Sequence, residues 1–433
     1  MRVVAGRRAV RQWWAQRAPT TAPGAPLPVM FVNTPTAPPL GADTWVHAQI
    51  MRGLDRPTHE LHAACAFGPA GHRTPTYETL RHIPDLHLRR LDLGPELTHR
   101  AGLGKVTALL ATVPAVPGLL GLARHVRRHR ISVIHTSDRP RDAAACVLLA
   151  RLTGARCIVH VHVGWAEWMS PMLRKALRKA DALVAVSAFV ADTLTESGHD
   201  PARTHVVLNA VDLERWVPGA GRQATRQQLG VADGTPVILT VCRLFPGKGP
   251  GDLIRALAKV RPEQPDVRLF IAGGEMVAGY AAELTALAAE LGLADNVTLL
   301  GRREDVPGLM AAADVYAMPS LGEPFGLVFA EAMAMRLPVV ALASGGAPEV
   351  VEHGRSGLLS PPGDIDQLAA DLRTLLADPA LRARMGAEGR QRVEEQFTIG
   401  RMARDMASVY RVVAAGGTPT RGGDRDERDA RVG

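Results

Sequence analysis

EPFGLVFAE, residues Glu323 to Glu331, follows the short apolar pattern DVYAMPSLG and sets two glutamates eight positions apart around a glycine and an apolar run. Pro324 fixes φ and removes a donor where a loop would turn into a helix, and FGLVFAEAMAM then repeats apolar residues at helical spacing. This reading puts Glu331 on a helix and Glu323 on the loop before it. If the whole segment were helical the carboxylates would be about 12 Å apart along the axis, able to grip the two ends of one extended polar ligand. That is too far for a hydrolytic acid/base pair. The backbone N–H groups of Phe325, Gly326 and Leu327 fall where a helix start leaves donors unpaired, a place for an anion such as a diphosphate. The plainer alternative is that both glutamates are solvated helix caps.

Working outward, apolar runs alternate with helical patterns: PVMFVN, LHAACAF, SVIHTS, CIVHVHV, ALVAVS and HVVLN, then PVILTVC, VRLFIAG, VTLLG, DVYAMP and PVVAL. That rhythm predicts α/β architecture with two parallel sheets. The Gly-rich, polar stretch 209–236 marks the boundary between them. The expected organisation is a disordered or amphipathic extension over 1–27, a first Rossmann-like lobe over 28–212 and a second over 213–396. A helix over 397–414 crosses back to the first lobe, and 415–433 form a disordered tail. Two such lobes would face each other across a cleft, with ligands near the carboxyl ends of the strands.

In VILTVCRLFPGKGPGDLIRAL, Arg243 and Lys248 flank a loop of Pro246, Gly247 and Gly249 between a strand and a helix. Two cations there suit a diphosphate, arginine as a bidentate donor and lysine as a point charge. It is not a Walker A loop, because Cys242 stands where the first glycine would be and Gly249 where a magnesium-holding Ser/Thr would be. FIAGGE, LLGRREDVPG and SGGAPE add glycine turns at further strand ends, where backbone can approach a base or ribose.

The order of these pieces resembles the nucleotide-sugar half of retaining GT-B glycosyltransferases, the large group called family 4 or glycosyl transferases group 1. The pattern R-L-x-x-x-K-G is carried by Arg243 to Gly249, the glycine-rich strand end by IAGGE, E-x7-E by Glu323 and Glu331, and G-G-x-x-E by Gly345 to Glu349. The resemblance implies a GT-B fold. It implies that Arg243 and Lys248 hold the donor diphosphate, that Glu331 takes the ribose hydroxyls, and that Glu323 with the Phe325 and Gly326 backbone takes the transferred sugar. Leu327 and Arg302 join the donor-binding set on the same ground. In the first half, LGADTWVHAQIMRGL matches the family's first glycine loop through Gly41, with Ala42 replacing a second glycine. His162 of CIVHVHVGW matches the histidine beside the transferred sugar, while its same-face neighbour His160 reads as core. The implied catalytic set is Arg243, Lys248, Glu323 and His162.

Composition narrows the rest. A net charge of +8 admits phosphorylated substrates or an anionic membrane face, and 4% aromatic residues disfavour a base-stacking nucleic-acid surface. Four cysteines without CxxC pairing fit a reduced, cytoplasmic setting. No secretory signal is expected from MRVVAGRRAVRQWW, which lacks an apolar core, and TALLATVPAVPGLLGLA is broken by Pro114 and Pro117. No metal is expected. Asp364 and Asp366 read as a helix cap, Asp424 and Asp426 fall in the tail, and arginines crowd the helical pair His125 and His129. No cofactor is expected beyond the nucleotide-diphosphate sugar itself.

Three basic stretches, RAVRQWWAQR with Trp13 and Trp14, LARHVRRHR, and PMLRKALRKADAL with Arg174, Lys175, Arg178 and Lys179, suit peripheral contact with anionic lipid, or else an ordinary solvated face. The function so read is retaining hexosyl transfer, independent of metal, from a nucleotide sugar to a hydroxyl acceptor, in glycan, polysaccharide or glycolipid biosynthesis and with a lipid-linked acceptor as one case. The competing readings are a nucleotide-sugar epimerase on the same fold and a non-catalytic sugar-nucleotide-binding protein.

Overall fold

The computed structural model describes residues 24–35, 41–67, 73–91, 93, 115–166 and 168–416. The stretch with Trp13 and Trp14, residues 68–72, 92 and 94–114, and the tail with Asp424 and Asp426 lie outside the described residues. The chain divides into two compact units: residues up to Val186 with Val190–Val207 and Met402 onward, and Ser187–Phe189 with Leu208–Arg401.

The first unit holds a seven-stranded sheet of β1 (Leu27–Asn33), β2 (His59–Cys65), β3 (Leu86–Arg90), β4 (Val133–Ser137), β5 (Arg156–Val161), β6 (Ala182–Ala185) and β7 (Thr204–Val206). Its order is β3-β2-β1-β4-β5-β6-β7 and every pairing is parallel. All seven residues of β1 are buried, as expected of a central strand covered by helices on both faces. The helix Ile399–Ala414 buries Met402, Met406, Val409, Tyr410 and Val413 at three- and four-residue spacing. Its Tyr410 hydroxyl meets His135 Nδ1 at 2.6 Å, and its ring sits edge-on to Phe31 at 6.3 Å.

The second unit holds β8 (Val237–Val241), β9 (Arg268–Ala272), β10 (Val297–Gly301), β11 (Val315–Met318), β12 (Val339–Leu342) and β13 (Gly357–Ser360) in the parallel order β10-β9-β8-β11-β12-β13. Its core packs Ile238, Leu269 and Ile271 of the sheet against Leu253, Ile254 and Leu257 and against Leu372 and Leu375 of two helices. Each such side chain contributes about 1.5–3 kcal/mol by leaving water. From β8 the chain winds outward through β9 and β10 on one side, while β11 to β13 build the other. The two windings part between β8 and β11, the place where open α/β sheets bind ligands at their carboxyl ends.

Two strands escaped the apolar-run reading. β3 (LHLRR) is an edge strand whose residues are half-buried or exposed, so it carries no continuous apolar run, and β13 (GLLS) has only Leu358 and Leu359 between a glycine and a serine. Among the described residues no helix is long and apolar enough to cross a membrane.

Candidate functional site

The loops leaving β8, β11 and β12 meet at that parting point. After β8 the chain passes Arg243 and enters a single 3-10 turn, Pro246–Lys248. It then reverses at Gly249, whose φ of +73° is open to glycine at little cost, and starts the helix Pro250–Val260. A Cβ on Gly249 would lie 2.1 Å from the Pro319 carbonyl oxygen, so the missing side chain is what lets the two loops touch. The Leu321 N–H donates to the Gly247 carbonyl at 3.0 Å and fixes that approach. From the other side, the Gly346 N–H donates to the Glu323 carbonyl at 2.6 Å, and a Cβ on Gly345 would meet Glu323 backbone at 2.5 Å.

This convergence brings the Lys248 ammonium onto the Glu323 carboxylate as an ion pair with both side chains mostly buried. Ser320 Oγ stands 3.0 Å from the same carboxylate oxygen. Arg243 is exposed, its guanidinium 6.0 Å from the centre of the Phe245 ring. The helix Leu327–Ala334 starts after Gly326, whose φ is +89° and where a Cβ would lie 2.2 Å from the Phe329 ring. Phe325 is buried edge-on to Phe397 at 5.6 Å, so it offers backbone rather than ring to any ligand. Glu331 follows on the helix, as the spacing predicted. Its carboxylate has no hydrogen-bond partner among the described residues, and burial pushes it up to about 7 against the pull of the Arg215 guanidinium. Arg302 is exposed just past β10. Burial pushes the Cys242 thiol up to about 11 despite Lys248 nearby, which makes it a poor nucleophile.

Gly41 and His162 belong to the first unit. Gly41 precedes the helix Ala42–Gly53, and a Cβ there would lie 2.2 Å from Asp43 Oδ1 and 2.8 Å from an Arg139 nitrogen. It therefore makes room for the Asp43–Arg139 ion pair, 2.7 Å long and joined by the Ser137 hydroxyl at 3.1 Å. Burial alone would raise Asp43, but the Arg139 hydrogen bond and charge hold its carboxyl at about 2. His162 follows β5, half-buried, with its backbone N–H given to Asp138 at 2.9 Å and its ring nitrogen Nε2 buried without a partner among the described residues. His160 is fully buried, and its ring stacks on His162 at 4.4 Å. His47 and His135 complete a cluster of four imidazoles. The structure thus brings Arg243, Lys248, Glu323, Phe325, Gly326, Leu327, Glu331 and Arg302 into one unit, and Gly41 and His162 into the other.

Sequence reasoning overlooked Ser320, Arg215, Asp43 and Arg139. Ser320 lies three residues before Glu323 and had a local signal. The other three act on partners that only the fold supplies.

Comparison with known proteins settles the family. The family model described as glycosyl transferases group 1 matches residues 221–392, and that described as glycosyltransferase family 4 matches 45–215. A D-inositol 3-phosphate glycosyltransferase from a Mycobacterium species is 40% identical over 353 residues, covering 70% of this chain and 78% of that protein. The chain belongs to the glycosyl transferases group 1 family. This glycosyltransferase is also 36% identical over 280 residues to a GDP-mannose-dependent monoacylated alpha-(1-6)-phosphatidylinositol monomannoside mannosyltransferase of Corynebacterium glutamicum, over 60% of its own chain and 71% of the relative. Its fold matches the Anabaena HepE protein solved with UDP and glucose, at 26% identity and a TM-score of 0.72, over 88% of this chain and 99% of that one. The GT-B architecture expected from the motifs is therefore present in this glycosyltransferase, and every proposed donor residue but Gly41 lies inside a matched segment.

Proposed function

We propose that this glycosyltransferase moves a hexose from a nucleoside diphosphate sugar to the hydroxyl of a lipid-linked polyol, with retention at the anomeric carbon and no metal ion at the diphosphate. The observation that carries the reading is the Lys248–Glu323 ion pair at the parting point of the second unit's sheet, with Arg243 on the loop that carries Lys248 and Glu331 on the helix that follows Glu323. Arg243, Lys248 and the N–H groups at the start of helix Leu327–Ala334 would neutralise the diphosphate. Glu331 would hold the ribose, and Glu323 the sugar hydroxyls while positioning Lys248. His162 keeps the sugar-side role that its motif match implies. As the bond from the anomeric carbon to the diphosphate breaks, the acceptor oxygen would bond to that carbon on the same face. Its proton would pass to the leaving phosphate oxygen, with no protein nucleophile.

A polyol acceptor is supported by the inositol 3-phosphate in one relative's name, and a lipid link by the phosphatidylinositol monomannoside in the other's. It accords with a cytoplasmic enzyme seated peripherally on an anionic membrane. Helix Pro171–Lys179 turns Leu173, Ala176 and Leu177 inward, and Lys175, Arg178, Lys179 and Met172 outward. Beside it Leu148 and Leu152 are each 51% exposed. Contact with lipid would thus use the basic face and these leucines, because the helix's own apolar stripe is already occupied.

Transfer assays with GDP-mannose and UDP-glucose, each with a phosphatidylinositol acceptor, test the proposal. Lys248→Ala and Arg243→Ala are expected to lower kcat/KM by about 10²–10³-fold each with folding unchanged, and product NMR should show the donor's anomeric configuration. Near-normal transfer in both variants overturns the site. Conversion of donor without acceptor would instead mark an epimerase.

A further inference from the structure

Away from the sugar-nucleotide residues, the first unit gathers imidazoles at the β3 edge of its sheet. Strand alternation puts Glu60 and His62 on one face of β2, and the parallel register sets His87 of β3 directly beside His62. The helix Ala115–Arg128 brings His125 to the same place, and His129 lies one turn further on.

The proton positions in this group are forced by one donor. Arg89 lies 2.9 Å from His125 Nδ1, and a guanidinium only donates, so that nitrogen accepts and the ring proton sits on Nε2. Nε2 is 3.0 Å from His62 Nδ1 and donates to it, which leaves the His62 proton on Nε2, 3.0 Å from Glu60 Oε1. The relay therefore ends by holding a carboxylate in place from behind. On its open side, His129 Nδ1 and His87 Nε2 stand 3.7 and 3.8 Å from the same Oε1. Those separations are too long for hydrogen bonds and near the edge of about 3.4 Å in a tetrahedron with ~2.1 Å metal–ligand bonds, whereas the His87 and His129 rings are 6.0 Å apart at their centroids, so an ion would draw the exposed His87 ring inward.

We propose that Glu60, His87 and His129 bind one zinc-class divalent ion, with water completing the tetrahedron and His62, His125 and Arg89 as the outer support of Glu60. Two imidazoles and one carboxylate select zinc, cobalt or nickel over magnesium and calcium, which want oxygen alone. The expectation that arginines exclude a metal from His125 and His129 assumed that the two chelate together. In the fold His125 is spent on the relay, and Arg127 turns away to donate to the Leu152 carbonyl. The ion would tie the edge strand β3 to the end of the helix, joining residues far apart in the chain.

The test uses the full chain stripped of metal and titrated with Co²⁺ and then Zn²⁺, following the visible Co²⁺ spectrum, the bound metal and the melting temperature. One equivalent, a tetrahedral Co²⁺ spectrum and a raised melting temperature are expected. The double variant His87→Ala/His129→Ala should lose the equivalent, and His62→Phe should weaken it about 10–100-fold, as loss of an outer partner does. Donor-induced thermal stabilisation should stay as in the parent. Absence of a saturable single equivalent, or unchanged affinity in the double variant, overturns the site.

Discussion

Glu331 pairs a legible position with an illegible environment. Its place on the helix follows from Pro324 and the apolar spacing, but its carboxyl is raised by burial and only partly drawn back by Arg215, more than a hundred residues earlier, and no local pattern announces either. The consequence has a definite sign. The folded value of about 7 lies above the ordinary 4.5, so the folded chain binds the extra proton and its stability falls as pH rises from about 4.5 through 7. Glu331→Gln removes that penalty. Its melting temperature should exceed the parent's at pH 8, by an effect of at most about 3 kcal/mol, and equal it near pH 5. The same variant should lose the thermal shift that a nucleotide sugar gives the parent, which scanning calorimetry with and without donor would read. Asp43 behaves oppositely. Its carboxyl is held at about 2 with Arg139 close by, so it supports the first unit at neutral pH and loses that support as pH falls from about 4 towards 2. Asp43→Asn should accordingly be less stable than the parent at pH 7 and lose the difference in acid, measured by urea unfolding at each pH.

Among the elements, the central strands announced themselves because strands covered on both faces are continuous apolar runs. β3 was hidden by its half-solvated edge position and β13 by offering only two apolar residues, Leu358 and Leu359, between Gly357 and Ser360. The glycines of the site were read as turn punctuation, and the contacts that require their bare backbone became visible only when two loops met. Gly249 has both demands, a φ of +73° and the Pro319 carbonyl at 2.1 Å from any Cβ, whereas Gly346 has an ordinary φ and only the clash with Pro324. Gly249→Ala should therefore cost about 1–3 kcal/mol from backbone strain alone, and more once the loops are forced apart. It should also raise the KM for the nucleotide sugar, since the displaced loop carries Lys248. Denaturant midpoints and donor kinetics on purified variant check both, and an unchanged KM would detach Gly249 from the donor loop.

At the scale of the molecule, two parallel sheets could be counted from the rhythm of the sequence, and the ordered motifs all fall in the unit that holds the second. The net charge of +8 gave only a class of partner. Burial of Leu173, Ala176 and Leu177 separates what helix Pro171–Lys179 uses inside from what it offers outside. Co-sedimentation with phosphatidylglycerol vesicles should be strong at low salt and weak at high salt, and Lys175→Glu/Lys179→Glu should abolish it. Binding that ignores salt or charge reversal would remove the membrane reading. The contact of His135 with Tyr410 spans 275 positions of chain. During synthesis the early sheet must wait for that closing helix while the intervening polypeptide is made, roughly 15 to 55 s at ordinary ribosomal speeds of ~5–20 residues per second. Through that interval Phe31 and His135 lack their final cover, so the nascent first unit is a natural client for chaperones until its last piece arrives.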